Sequence, residues 1–190
     1  MTRPFRQTGV PGHAVFACLG WKERPHIADP NRTTVLAKMR MIGVISDTHG
    51  LLRPEAIAAL RGVEHILHAG DVGDPRILEA LREVAPVTAI SGNIDVHGPC
   101  SYLPATEVVT LHGHTFYMLH DRNALDLDPA AAGFAAVISG HSHRPLIEWR
   151  KGVLYLNPGS AGPRRFSLPI SLALVTIGAD SLQPQLVNLP

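Results

Sequence analysis

The chain has 190 residues, of which 45% are hydrophobic and 17% charged, a composition typical of folded proteins and not of disordered ones. No apolar run approaches the ~20 residues that span a bilayer, so a membrane protein is not expected. The formal net charge of +1 is unevenly distributed. Residues 1–40 carry seven basic and two acidic side chains, and the remainder carries ten basic and fourteen acidic ones. The acidic body gives no electrostatic support to nucleic-acid binding.

Residues 1–40 are predicted to precede the folded domain, either as a disordered leader or because the true start lies further along. Four prolines interrupt this segment and leave one short apolar stretch, HAVFACLGW. Met39 and Met41 would both serve as a start. A secretory signal is a weaker alternative, because the charged residues KER follow the apolar stretch where small residues belong. The prolines also argue against the amphipathic helix of a mitochondrial presequence.

The two cysteines indicate the cellular compartment. Cys18 and Cys100 lie far apart and form no CxxC pair, so they predict neither a disulfide framework nor a zinc ribbon. We therefore expect a cytoplasmic protein with no membrane partner.

From Met41 onward, apolar strand-like runs alternate with helices and polar loops. The runs IGVIS, HILHAGD and PVTAIS predict three strands. Two helices lie between them: RPEAIAALRG, with Pro54 in its first turn, and DPRILEALREVA, with Asp74 as its N-cap. Three hairpins follow, EVVTLHGHTFYMLH, PLIEWRKGVLYLNPGS and PISLALVTI to LQPQLVNL, with the strand AAVISGHSH before the second. This order predicts an α/β domain whose later half is mostly antiparallel.

Polar fragments follow directly on the apolar runs. They are SDTH, AGD, SGN, LH and SGHSH, and sites in α/β sheets form at the carboxyl ends of strands. Each fragment alone also fits an ordinary turn or cap, so the prediction of a site rests on their joint occurrence in one chain. The fragments supply seven potential metal ligands: Asp47, His49, Asp71, Asn93, His120, His141 and His143.

These ligands are oxygen and nitrogen donors without a thiolate, a set that suits Mn, Fe, Zn, Ni or Co. Seven side chains exceed the four that a tetrahedral zinc needs. With one bridging carboxylate they provide four bonds to each of two metals. Two cations about 3.5–4 Å apart can hold a shared hydroxide that attacks phosphorus in line. The expected cofactors are two divalent metal ions, and Mn is the expected metal, with Fe, Zn, Ni or Co as alternatives.

The ordered series DTH, GD, GN, strand-end histidine and GHSH resembles the calcineurin-like metallophosphoesterase superfamily over residues 41–186. The fragments MIGVISDTHG, HAGDV, GNID, SGHSHRP and NPGS are most similar to the small YfcE-like phosphodiesterases. The resemblance implies a metallophosphoesterase domain over residues 41–190, folded as a four-layer αββα sandwich of two mixed β-sheets flanked by helices. It also implies a ligand assignment: Asp47, His49 and His143 on one metal, Asn93, His120 and His141 on the other, and Asp71 as the bridge.

The function that the resemblance implies is hydrolysis of a small phosphodiester by a hydroxide that bridges two metals. Asp71, Asn93, Asp95 and His120 are the expected catalytic residues. A non-catalytic scaffold or a regulatory metal-binding protein on the same fold is the alternative, although a scaffold is expected to have lost ligands. Cyclic nucleotides, nucleotide-containing metabolites and lipid headgroup diesters all stay open as substrates. A homo-oligomer is also open, because the final hairpin could present an edge.

Two positions depart from the pattern of the wider superfamily. Many members have a histidine after the asparagine as the general acid, and this chain has Ile94, which donates no proton. We therefore expect Asp95 to hold a ligand or a water, with His97 as a candidate substitute acid. Asp121 follows His120 where many relatives have glycine, and it either supports a ligand histidine or starts a turn. A site without an acid should favour leaving groups that are already good anions, such as those of aryl phosphodiesters.

Two arginines are candidates for binding the substrate. Arg144 follows the GHSH fragment, and Arg164 follows NPGSAGP together with Arg165. A guanidinium can hold a phosphate through two parallel hydrogen bonds. An exposed loop arginine without such a role is the alternative reading of each.

Overall fold

The computed structural model describes residues 40–165 and 167–190, so all of the predicted leader except Arg40 lies outside the described residues. The elements in chain order are β1 (Arg40–Ile45), α1 (Pro54–Ala59), β2 (His65–His68), α2 (Pro75–Arg82), β3 (Val87–Ala89), β4 (Thr106–Leu111), β5 (His114–Leu119), β6 (Ala136–Ile138), β7 (Leu146–Arg150), β8 (Val153–Asn157), β9 (Ser171–Ile177) and β10 (Leu182–Asn188). Short 3-10 helices lie at Pro99–Tyr102 and Arg122–Ala124. Among these elements, no helix is long and apolar enough to cross a membrane.

The strands form two five-stranded mixed sheets, in the orders β10-β9-β1-β2-β3 and β4-β5-β6-β8-β7. In the first sheet, β1 pairs parallel with β2 and antiparallel with β9. In the second, β6 pairs parallel with both β5 and β8, while β4 and β7 run antiparallel at the two edges. The predicted hairpins are all present. The parallel crossovers that place β6 between β5 and β8 were not part of the prediction.

The two sheets pack face to face over one apolar cluster. Ile42 and Val44 of β1 lie in this cluster with Phe116 of β5 and Ile138 of β6. Successive side chains of a strand point to opposite faces, so Ile45 instead joins a second cluster beneath α1 and α2. Burial on both faces explains why residues 42–45 of β1 form an uninterrupted apolar run.

The outermost layers differ between the two sheets. Helices α1 and α2 cover the first sheet through Ala56, Leu78 and Leu81, among other buried side chains. The outer face of the second sheet packs against a loop, with Val137 in contact with residues such as Leu125. The layered sandwich of two mixed sheets is confirmed, with its α-helical layer on the first sheet.

Local chemistry sets the start of α2 and the turns of two hairpins. Asp74 is the N-cap of α2 and accepts a hydrogen bond from the backbone N–H two residues on, at 2.9 Å. His112 and Gly113 have φ of 52° and 84°, and Lys151 and Gly152 have φ of 49° and 79°. Positive φ at both central residues is the type I′ geometry that matches the twist of a hairpin.

Candidate metal centre

Five loops bring the seven predicted ligands together at the carboxyl ends of strands from both sheets. The ligand Asp71 follows β2 in the first sheet, and its Oδ1 lies 3.4 Å from Nε2 of His120, which follows β5 in the second. Likewise, Asp47 Oδ1 lies 3.3 Å from Nε2 of His143, and these residues follow β1 and β6. Ligands from the two sheets therefore meet in one cluster.

The first group consists of Asp47, His49 and His143, whose ligand atoms all lie within 4.8 Å of one another. The Nε2 atoms of the two histidines are 3.3 Å apart. Asp47 is fully buried, and its Oδ1 has no hydrogen-bond partner among the described residues. A buried carboxylate oxygen without a donor is costly. A divalent cation among these atoms would satisfy it, so the residues present fit a metal.

The second group is built around His120. Its Nδ1 faces the carbonyl oxygen of Ala69 at 2.7 Å and must donate to it, which leaves Nε2 free for a metal. That Nε2 lies 3.1 Å from Oδ1 of Asn93, and the same amide oxygen lies 2.9 Å from Nδ1 of His141. Asp47, Asp71 and His120 also place ligand atoms within 4.8 Å of one another.

Asp71 lies between the two groups. Its Oδ2 is 3.6 Å from Nε2 of His49, and its Oδ1 is 3.4 Å from Nε2 of His120. The two oxygens of one carboxylate thus face histidines of different groups, as a bridging ligand requires. Asp47 Oδ1 lies 4.0 Å from the same two histidine nitrogens. Both buried carboxylates therefore stand where two cations would share negative charge.

The pKa values of the cluster shift in different directions, and those of His49 and Asp71 suit metal binding. Burial lowers the pKa of His49, and the Asp71 and Asp47 carboxylates only partly oppose this, so the imidazole is neutral at pH 7. Burial also acts to lower the pKa of His120, but hydrogen bonds to Asp71 and Ala69 outweigh it and raise that pKa. Burial acts to raise the pKa of Asp71, and the hydrogen bonds from His120 and Ile94 reverse this, so the net change is downward. Asp71 therefore carries the negative charge that a cation needs.

The backbone at the cluster adopts an unusual conformation. Five of the seven ligands have positive φ: Asp47 at 54°, His49 at 46°, Asp71 at 55°, His141 at 66° and His143 at 57°. The two other described non-glycine residues with positive φ are the hairpin residues His112 and Lys151. Such conformations cost on the order of 1–3 kcal/mol each and tend to cluster at functional sites. Here they aim the ligand side chains at one another.

Close packing explains the glycine that precedes two of the ligands. A Cβ on Gly70 would lie 2.6 Å from Nδ1 of His120, and a Cβ on Gly92 would overlap Asp71. The glycines of GD and GN are therefore needed because a side chain there would overlap the cluster, and not only because glycine favours a turn.

Residues 157–160, the NPGS segment, connect ligand loops from the two sheets. Asn157 Nδ2 donates to the carbonyl oxygen of Gly140 at 2.6 Å and to Oγ of Ser142 at 3.1 Å, on the loop that carries His141 and His143. Ser160 Oγ donates to the carbonyl oxygen of Asp47 at 2.9 Å. The sequence drew attention to this motif only through the family resemblance, and the structure gives it a positioning role.

Replacing Asn157 by alanine is expected to weaken Mn²⁺ binding by roughly 10- to 100-fold, because the loop of His143 loses the two hydrogen bonds from Asn157 Nδ2 that fix it. Titration of the metal-stripped protein with Mn²⁺ measures the change. Asn188→Ala, in the exposed edge of β10, is the matched control and should bind Mn²⁺ like the wild type. Equal affinities of the Asn157 variant and the wild type would exclude the positioning role.

Asp95 supports two ligand loops from below. It is buried, and its carboxylate accepts hydrogen bonds from the backbone N–H groups of Val72 at 3.0 Å, Gly73 at 2.8 Å and Gly92 at 2.9 Å. These bonds hold the loops of Asp71 and Asn93 through the backbone, whereas the predicted role was to hold a ligand side chain or a water.

His68 is a buried histidine beneath the cluster. Its Nε2 lies 3.0 Å from Oγ1 of Thr48, between the ligands Asp47 and His49, and its Nδ1 has no hydrogen-bond partner in the described part of the chain. Burial lowers the pKa of His68 to about 4, while the Asp47 and Asp95 carboxylates oppose this only in part. The folded protein thus keeps this imidazole neutral far below its usual pKa.

This burial predicts a pH-dependent loss of stability. In the unfolded chain His68 titrates near its ordinary pKa of about 6.5, so below that pH only the unfolded state takes up the proton. The free energy of unfolding should fall by roughly 2–3 kcal/mol from this group between pH 7 and 4.5. Urea unfolding of metal-free His68→Gln should lack that part of the decrease, whereas the exposed-site control His97→Gln should retain it. An unchanged pH dependence in His68→Gln would refute the assignment.

A pocket of about 260 Å³ lies over the cluster, and we call it the cluster pocket. Its lining includes His49, Asp71, Asn93, His141 and His143, together with Ile94, Ser142 and Arg165. The apolar Ile94 is thus part of the pocket lining. Among the other predicted residues, Arg144 lines a neighbouring pocket, while Arg164 and His97 are exposed and line neither. Arg165, the second arginine of the pair, lines the cluster pocket.

Asp121 caps the turn that follows it and lies near a predicted ligand. Its Oδ1 accepts a hydrogen bond from the backbone N–H of Asn123 at 2.9 Å and so caps the following 3-10 helix. Its Oδ2 lies 3.9 Å from Nε2 of His141, on the side of the ring opposite Asn93. This carboxylate therefore starts the turn, and its distance from the His141 ring exceeds that of a hydrogen bond.

Comparison with known proteins gives one family model and two curated relatives. The model of the calcineurin-like phosphoesterase superfamily domain matches residues 39–180. A probable metallophosphoesterase from Methanocaldococcus jannaschii is 35% identical over 166 residues, which are 80% of this chain and 83% of that protein. A probable metallophosphoesterase from Methanothermobacter thermautotrophicus is 38% identical over 160 residues, which are 78% of this chain and 92% of that protein.

Solved structures share the fold at lower identity. An archaeal phosphodiesterase has a TM-score of 0.65 and 21% identity, with 77% of this chain and 99% of that chain covered. Vps29 from Entamoeba histolytica, complexed with Zn²⁺, has a TM-score of 0.60 and 23% identity, with 78% of this chain and 98% of that chain covered. At these identities the likeness concerns the fold alone.

Proposed function

The chain belongs to the calcineurin-like phosphoesterase superfamily, and from this membership we propose that it is a phosphodiesterase that uses two divalent metal ions. The observation that carries the proposal is the position of Asp71, whose two carboxylate oxygens face His120 on one side and His49 on the other. One shared carboxylate between two histidine groups is the arrangement that a two-metal site needs.

The residues that would hold the metals follow the two groups. Asp47, His49 and His143 would bind one ion, and Asn93, His120 and His141 the other, with Asp71 shared. When bound, the two cations supply an activated water and neutralise charge on the phosphoryl oxygens. Mn²⁺ is the proposed metal, and Fe, Zn, Ni and Co are alternatives, because nitrogen and oxygen ligand sets accept several ions.

The chain's own side chains bind and orient the phosphoryl group. The phosphoryl group would lie in the cluster pocket, over the proposed metal ligands His49, Asp71 and Asn93, and the Arg165 guanidinium is in the same lining. Arg165 is therefore the arginine proposed to bind the phosphoryl group, while Arg144, which lines the neighbouring pocket, and Arg164, which lines neither, stay predictions from the sequence. Ile94 supplies no proton to the leaving group, so substrates with good leaving groups are favoured. Asp95 contributes by holding the loops of Asp71 and Asn93.

The experiment that tests this function compares two aryl substrates. Metal-stripped protein receives Mn²⁺, and its turnover of bis-p-nitrophenyl phosphate is measured beside that of p-nitrophenyl phosphate. We expect metal-dependent hydrolysis of the diester and much weaker hydrolysis of the monoester. Equal rates on both would contradict the diesterase assignment, and hydrolysis without added metal would contradict the role of the cluster.

A scaffold or regulatory protein is the second candidate function. The observation that favours it is the structural likeness to Vps29, a protein named for vacuolar sorting whose complex with Zn²⁺ has been solved. Metal binding alone therefore does not separate the two functions. Tight binding of Mn²⁺ without turnover of any diester would favour the scaffold.

We propose the cytoplasm as the location, in line with the free, buried Cys100. The proposed partner is a small phosphodiester and neither nucleic acid nor membrane, because the body is acidic. A homo-oligomer is a further proposal, and β10 would be its contact, since it is an edge strand of the first sheet. Pro184 within β10 limits such pairing, because proline donates no backbone hydrogen bond.

A further inference from the structure

We propose that a second pocket beside the cluster binds one arm of the phosphodiester, and that this arm carries its own negative charge as a carboxylate or phosphate. The proposal rests on the proposed function and names the class of substrate. This side pocket has a volume of about 360 Å³, within the range of small-molecule sites, and lies beyond the carboxyl ends of β5, β6 and β8. The lining residues that matter here are Arg122, Asn123, Arg144, Pro145 and Leu146.

The side pocket adjoins the cluster pocket, because His141 and Ser142 line both. The His141 ring stands between them, with Nδ1 2.9 Å from Oδ1 of Asn93 and Nε2 3.9 Å from Oδ2 of Asp121. A diester whose phosphorus lies over the cluster can therefore extend one arm past His141 into the side pocket. A monoester has a single arm, so it cannot fill the side pocket and also place a separate leaving group elsewhere.

The positive charge of the side pocket is not balanced by neighbouring carboxylates, and this favours an arm that carries negative charge. The exposed Arg144 guanidinium has no hydrogen-bond or ion-pair partner within residues 40–165 and 167–190. Arg122 Nη1 lies 3.4 Å from Oε2 of Glu148, but Arg150 already binds both Glu148 oxygens, at 2.7 and 2.8 Å. One carboxylate shared by two guanidinium groups leaves a net positive charge, and the other N–H donors of Arg122 have no partner among the described residues.

The opposing charge in the lining is small and already engaged. Asp121 is the acidic residue of the lining, and it caps the 3-10 helix and faces His141. Two guanidinium groups against one carboxylate favour an anion, which each can hold bidentately. Pro145 and Leu146 add an apolar wall. The pocket thus suits an organic group that ends in an anion.

The test compares three diesters that share p-nitrophenol as the leaving group and differ in the other arm. The arms are phenyl, 4-carboxyphenyl and 4-phosphooxyphenyl, and the enzyme is the full chain loaded with Mn²⁺. We expect a KM about tenfold lower for a charged arm than for the phenyl arm, with kcat within about twofold. A lower KM for only one of the two charged arms would show whether the side pocket prefers a carboxylate or a phosphate.

The double variant Arg122→Met, Arg144→Met should bring the ratio of the two KM values close to one. Arg82→Met, in the last turn of α2, is the control and should keep the wild-type ratio. Hydrolysis of the phenyl diester with no lower KM for either charged arm would overturn the proposal. A tenfold ratio that survives the double substitution would overturn it too.

A wrong phosphodiesterase assignment can be distinguished from a wrong binding role of the side pocket. If no diester is hydrolysed, the phosphodiesterase assignment is wrong, and binding of 4-carboxyphenyl phosphate is measured by calorimetry instead. Binding about tenfold weaker in the double variant than in the wild type supports the side pocket. Equal binding by the two proteins overturns it.

Discussion

Replacing Asp71 by asparagine is expected to lower kcat/KM for bis-p-nitrophenyl phosphate by about a thousandfold or more. The amide keeps the shape of the carboxyl group, and its carbonyl oxygen can still accept the hydrogen bond from the backbone N–H of Ile94, which measures 3.0 Å in the wild type. What is lost is the negative charge between His49 and His120. Metal ions contribute several kcal/mol to such reactions, and each 1.36 kcal/mol is a tenfold change in rate.

The same substitution should change metal binding in a specific way. A ligand shared by both ions affects both, so Mn²⁺ titration of Asp71→Asn should reveal weaker binding at each site rather than at one. Asp126→Asn, an exposed residue in the loop after β5, is the matched control and should retain wild-type kinetics. A variant at Asp71 that folds normally and keeps more than a tenth of the activity would refute its bridging role.

Replacing Ile94 by histidine is expected to raise the rate on diesters with poor leaving groups by about a hundredfold. General acid catalysis contributes typically 10²–10⁴-fold, and it matters most where the leaving alkoxide is a strong base. Ile94 is 41% exposed and lines the cluster pocket, so an imidazole there would face the substrate. The lower end of the range is expected, because the Asp95 oxygens already accept three backbone hydrogen bonds and would orient the new ring poorly.

The measurement for this variant is a series of aryl and alkyl diesters whose leaving groups span several pKa values. The wild-type rate should fall steeply as the pKa of the leaving group rises, and the Ile94→His rate should fall less. Ile94→Gln provides polarity of similar size without an acid of suitable pKa, and it should follow the wild type. A rate on alkyl diesters that stays at the wild-type value in Ile94→His would mean that protonation does not limit the reaction.

Much of the fold could be predicted from the sequence because its signals are local. Apolar runs gave β1 and β2, the cap Asp74 gave the start of α2, and turn pairs such as Lys151-Gly152 gave the hairpins. The position of β6 between β5 and β8 could not be predicted from such local signals. It depends on which faces pack in the core between the sheets, and no turn or period of the sequence encodes that.

Some features of the candidate site could likewise be predicted from the sequence, and others could not. The seven ligands could be collected from the sequence because each follows a strand and carries a metal-binding group. The positive φ of His141 and His143 could not be predicted, because non-glycine residues adopt it only when surrounding contacts hold them there. Asn157 is such a contact, and its bonds to the His143 loop join positions fifteen or more residues apart. The side pocket also escaped prediction, since Arg122 and Arg144 meet only through the fold.

The most direct test of the two-metal account is the hydrolysis rate as a function of added metal. Metal-stripped protein is titrated with Mn²⁺, and turnover of bis-p-nitrophenyl phosphate is recorded at each ratio of metal to chain. We predict no turnover without metal and a plateau at two ions per chain, since the cluster offers two groups of ligands that share Asp71. Full turnover without metal, or a plateau after a single ion, would contradict the account.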